Sequence, residues 1–117
     1  MKQGRLTIAY NTLLKLYRIE GIPFQISCKL FMLKKKLQPY YELQAEKQDV
    51  IMEAHGVDNA RNLTPEILKE FEEILKADVE WNEEPVGIAL TPDLVEKLGI
   101  TGAVIDQLGG FVTFTEG

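Results

Sequence analysis

Ile26, Leu30, Leu33, Leu37 and Tyr40 follow one another in alternating steps of four and three residues, the spacing of an apolar seam on one face of an α-helix. They lie in a segment from Pro23 to about His55 whose pattern predicts one long helical stretch, closed by Gly56. Carried further, the seam passes through Gln44 and Lys47 before recovering at Ile51 and Ala54, while Leu43 and Val50 take over the apolar stripe. A proline inside a helix removes the bond to the carbonyl four residues back and pushes against it. Pro39 is therefore expected either to kink this helix or to separate two helices that abut at Gln38.

Ahead of that segment, Leu6 and Ile8 alternate, whereas Tyr10, Leu13, Leu14 and Tyr17 have helical spacing. This predicts a short strand over 5–9, then a helix from about Asn11 to near Gly21, a residue suited to the left-handed conformation that ends helices. Pro23 is expected at the first position of the long helix, where its missing N–H costs nothing. Further on, Thr64, Pro65 and Glu66 predict a helix over 65–77, with Ile67, Leu68, Phe71 and Leu75 as its buried stripe and Ile74 beside it. Val79 and Trp81 alternate with charged residues and predict a short strand before the turn at Asn82–Pro85. Thr91 and Pro92 open another helix that Gly99 ends, residues 101–110 predict a further helical turn, and 111–114 a final strand. The two Leu-Thr-Pro starts lie 27 residues apart with unlike flanks, so they are a shared way of capping and not a repeat. The expected fold is a single domain over 1–117, α+β and predominantly α. It comprises a long helical hairpin with a kink or break at Pro39, short C-terminal helices and a small strand pair near the C-terminus.

At 117 residues the chain can bury a modest core. Its net charge of −5 hides an asymmetry. Residues 1–36 carry eight basic residues against Glu20 alone, a net +7, and the other 81 residues carry five basic and 17 acidic ones, a net −12. Such halves mark a nucleic-acid surface, a membrane face, or parts that attract each other within or between subunits. Cys28, the sole cysteine, excludes an internal disulfide and is expected to be a small buried thiol. Tyr10, Asn11 and Lys15 interrupt the apolar part of the first residues, and no stretch approaches the roughly 18 apolar residues of a membrane span. A cytoplasmic location is expected.

Lys34, Lys35 and Lys36 point about 100° apart on a helix, so they fan around the side away from the seam and cannot all face one row of phosphates. With Lys29 and Arg18 they are the candidate nucleic-acid contacts, weighed against a solvated charged face. A membrane-surface role would draw on Phe24, Phe31 and Met32, which the core is expected to claim. His55 reads as a helix terminator, and with Cys28 as the only other zinc-type ligand no zinc site is expected. Glu66, Glu70 and Glu73 fall on the solvated face of an amphipathic helix, which accounts for them without magnesium. Gly109–Gly110 lacks the lysine of a phosphate loop, and no nucleophile–base pair is evident. No enzyme activity and no cofactor are expected. Trp81 is either an interface anchor or a residue closing one end of a small core.

Residues 21–56, from the Ile22-Pro23 step through the Lys34–Lys36 run to Gly56, together with Val79, Glu80, Glu84, Pro85 and Val86, resemble a pattern found in small helical proteins of phage and prophage genomes of Gram-positive hosts. The resemblance covers roughly residues 20–90 and assigns no catalytic or ligand residues. It implies a structural or host-interfering role, in the host cytoplasm or the virion. The leading expectation is thus a non-catalytic interaction protein that self-associates through Phe31, Tyr40, Tyr41, Ile51 and Trp81. The alternatives are an inhibitor of a host enzyme in which the acidic 65–77 helix and Glu80–Pro85 mimic the charge of a nucleic acid, and a nucleic-acid-binding accessory protein using the basic N-terminal third.

Overall fold

The computed structural model describes residues 1–58 and 60–116. Helix α1 (Gln3–Tyr17) and helix α2 (Phe24–Ala54) form a hairpin that turns through Gly21, at φ 80°. A 3-10 turn (Ala60–Asn62) leads to α3 (Pro65–Lys76), and β1 (Val86–Leu90), α4 (Pro92–Leu98), α5 (Gly102–Gln107) and β2 (Val112–Glu116) complete the chain. The architecture is α+β and predominantly α, as its residue pattern predicts.

Helix α1 begins earlier than its spacing suggests. Leu6, Ala9, Leu13 and Leu16 recur at steps of three and four and are all at most 4% exposed, so one continuous helical face is buried. The strand expected over 5–9 does not form: Ile8, whose alternation with Leu6 suggested it, stands 49% exposed on the outer side of the helix. Opposite this face lie Leu30, Leu33 and Leu37 of α2. The two helices run antiparallel. The Gln3 side-chain amide donates to the Tyr40 carbonyl (3.1 Å) at one end, and the Tyr17 and Phe31 rings sit 5.8 Å apart at the other.

Pro39 does not end α2, whose 31 residues run through it without a break; the alternative of two abutting helices is overturned. Pro39 and Lys35 are both exposed, so water can serve the Lys35 carbonyl that the proline leaves without a helical donor. Pro23 sits one position earlier than expected, at the cap with ψ 138°. Where the seam turns polar, Gln44 is buried for a reason: its Oε1 accepts from the Thr7 hydroxyl and from Gln3 Nε2.

The strand pair is β1 with β2, parallel, in register from Val86↔Val112 to Leu90↔Glu116, with α4 and α5 as the crossover that parallel pairing requires. Ile88, Leu94, Leu98, Leu108, Phe111 and Val112 carry the core from the hairpin into this unit. Thr64, Thr91 and Thr101 cap α3, α4 and α5 by accepting from the amides of Ile67, Leu94 and Val104. The strand expected at Val79–Trp81 is a shorter feature. Residues 77–79 run antiparallel to the first residues of the chain through one bridge, Lys2↔Asp78, flanked by Val79 N–H to Met1 O (2.8 Å) and Gln3 N–H to Ala77 O (2.9 Å). Helix α3 follows its predicted limits, but of the stripe only Ile67 is fully buried and Leu68 is 48% exposed.

Candidate interaction surface

Four of the five residues expected at an interface pack largely within the chain. The Tyr41 ring stacks on Tyr10 at 4.5 Å. Trp81 stands edge-on to Tyr40 (5.7 Å) and to Phe111 (5.5 Å), and the Tyr40 hydroxyl donates to the Glu80 carbonyl (2.9 Å). The indole N–H of Trp81 is buried with no hydrogen-bond partner among the described residues. Phe31 is half-buried beside Tyr17. Ile51, the fifth, faces an open groove of about 380 Å³ between α2 and α3, with Leu43, Glu46, Lys47, Val50 and Ile74.

The basic residues also have company. Lys29 donates to the Gly87 carbonyl (2.8 Å), which ties α2 to β1, and Lys36 pairs with Glu83 (3.0 Å). The Lys34 ammonium lies over the Tyr17 ring at 4.9 Å, and the Lys35 ammonium over Phe31 at 5.6 Å. Arg18 caps the end of α1 and is exposed. The lysines fan around α2 as expected, toward different neighbours, and form no row.

A surface that the seam did not reveal runs along α2. Phe24 is 81% exposed, Met32 58%, Leu43 45% and Val50 60%. Phe24 and Met32, expected in the core, are therefore outside it, and Cys28, expected to be buried, is exposed between them. At 3.6 residues per turn, Phe24, Cys28, Met32, Pro39, Leu43 and Val50 fall within an arc of about 100°. The seam of Leu30, Leu33 and Leu37 lies on the other side of the helix. Helix α2 thus has two apolar faces: α1 covers one, and the other faces solvent over about 39 Å. The signal was in the sequence, in the residues that fall between the steps of the seam, but it shows only when the whole wheel is drawn. The length of α2, about 46 Å by its rise, accounts for most of the molecule's long dimension of 51 Å.

Elsewhere the chemistry is sparse. His55 Nε2 meets Glu70 Oε2 at 2.7 Å, an exposed contact that fastens the end of α2 to α3. Among the described residues no group of three or more His, Cys, Asp and Glu side chains could hold a metal ion. No helix among them is long and apolar enough to cross a membrane. A recess of about 540 Å³ between Leu90, Pro92, Val95, Ile105 and Phe114 is open, and its polar lining is Thr91, Thr115 and Glu116. Comparison with protein-family models, curated proteins and solved structures returned no match, so no assignment carries over to this chain from another protein.

Proposed function

We propose that this chain is a non-catalytic, phage-type interaction protein that self-associates and serves a structural or assembly role. The observation that carries this reading is the second apolar face of α2, with Phe24, Met32, Leu43 and Val50 all 45% or more exposed. Single exposed apolar side chains are ordinary, but a row of them along one helix is what an interface buries. A helix that packs on one side only is also what assembling helical proteins use to meet a partner. The basic residues weigh against the nucleic-acid reading, since Lys29, Lys34, Lys35 and Lys36 already contact groups of their own chain.

Light scattering on the chain eluting from a sizing column, over a range of concentrations, tests this. Self-association predicts a mass of two or more chains that falls on dilution. A mass of one chain at all concentrations would overturn it.

A further inference from the structure

We infer that the occupant of the exposed face of α2 is the same face of a second copy, running antiparallel, with the two-fold axis near Leu37 and Gln38. This rests on the self-association reading and adds the geometry. Two features of the face select it.

The first is charge. Residues 24–36 of α2 hold Lys29, Lys34, Lys35 and Lys36 and no acid, whereas residues 37–54 hold Glu42, Glu46, Asp49 and Glu53 against Lys47 alone. At 100° per residue Glu42, Glu46, Asp49 and Glu53 all lie on or beside this face, as does Lys35, so a parallel pair would set the four acids of one helix beside the four of the other and Lys35 beside Lys35. An antiparallel pair sets the basic half of each helix beside the acidic half of its mate, which favours that orientation.

The second is the apolar spacing, which is close to symmetric about the same point. An interface on a two-fold axis must be complementary to itself. With the axis near Leu37 and Gln38, Phe24 meets Val50 of the second copy, Met32 meets Leu43, and Cys28 comes opposite Glu46. Close to the axis Pro39, exposed and without an N–H, faces Lys35 and Lys36 of the mate. Apolar residues thus meet apolar ones toward both ends, with the long stems of lysines between them. Lys47 is the one basic residue of the acidic half, and it comes opposite Lys29, whose ammonium is turned away to the Gly87 carbonyl.

The sole cysteine makes the orientation measurable, because Cys28 is exposed on this face. In a parallel pair the two Cys28 thiols would be neighbours. In the antiparallel pair they stand about 27 Å apart along the helices, beyond the reach of a disulfide. The experiment treats three proteins with copper phenanthroline under native conditions: the natural chain, Glu46→Cys, and Glu46→Cys with Cys28→Ser. Non-reducing electrophoresis then counts covalent dimers, and light scattering gives the mass before oxidation. The expected result is dimeric mass for all three, with covalent dimer abundant only for Glu46→Cys. Covalent dimer from the natural chain would show Cys28 meeting Cys28 and overturn the antiparallel arrangement while leaving self-association intact. Dimeric mass with no covalent dimer from any of the three would overturn this face and register. A single-chain mass throughout would overturn self-association itself. The same chains mixed with anionic phospholipid vesicles cover the remaining source of apolar contact; a monomer that sediments with vesicles would assign the face to a lipid surface instead.

Discussion

Met32 and Leu33 are chain neighbours on α2, yet one is 58% exposed and the other 2%. The 100° between successive helical residues separates them onto the two apolar faces of the helix, one closed by α1 and one open. Because the two faces differ in what covers them, they differ in what a substitution costs. Leu33→Ala is expected to destabilise the fold by about 2–5 kcal/mol, the usual cost of a cavity in a packed core. Met32→Ser is expected to change the stability of a single chain by less than about 0.5 kcal/mol. Urea unfolding at concentrations low enough to dissociate any assembly checks both.

Trp81 sits between Tyr40 and Phe111 with its indole N–H buried and unpaired among the described residues. A buried donor without an acceptor is a cost that the ring contacts must outweigh. Trp81→Phe, which keeps an aromatic ring and deletes the donor, is expected to leave stability within about 1 kcal/mol of the natural chain. Trp81→Ala removes both edge-on contacts and is expected to cost about 3 kcal/mol. Thermal unfolding followed by circular dichroism separates the two; equal losses would show that the N–H has an acceptor after all.

Gln44 accepts from Gln3 and Thr7 across the hairpin. Losing it takes one acceptor from the half-buried Thr7 hydroxyl, which keeps the Gln3 carbonyl, and one from the buried Gln3 amide, which keeps the Tyr40 carbonyl, so Gln44→Ala is expected to cost about 1 kcal/mol. A double-mutant cycle of Gln44→Ala with Thr7→Val measures the coupling directly. Additive effects would mean that the bond contributes nothing.

Salt separates the two forces that hold the proposed pair. Exposed charges are screened within about 8 Å at physiological ionic strength, whereas apolar burial is not. Raising salt is therefore expected to weaken the dimer by less than about tenfold, because exposed pairs contribute little individually. Sedimentation at two ionic strengths checks this, and complete dissociation in high salt would place the interface on charge alone.

Much of the fold could be read from the residues. The seam of Leu30, Leu33 and Leu37, the caps Thr64 and Thr91 and the helix-ending Gly99 each have a local cause, so each appears where its chemistry puts it. The errors come where distant residues decide. Leu6 and Ile8 look like a strand until α2 claims Leu6 and leaves Ile8 outside. Residues 77–79 pair with the first residues of the chain, a contact no local pattern announces. Strand β1 has no local signature, because Val86–Leu90 is short and its partner lies beyond two helices. The interaction surface was legible only in part. Aromatic residues such as Tyr41 and Trp81 read as interface anchors, whereas Phe24, Cys28 and Met32 of the outer stripe read as core although α1 fills that side of α2 with Leu30, Leu33 and Leu37.

On the proposal above, the outer face of α2 joins two copies of the chain. The measurement that tests it most directly is the molar mass, by light scattering, of a Met32→Asp, Val50→Asp variant beside the natural chain at the same concentration. The natural chain is expected to be a dimer and the variant a folded monomer, with helical circular dichroism retained because both positions face solvent in the single chain. A variant that remains folded and dimeric would contradict it.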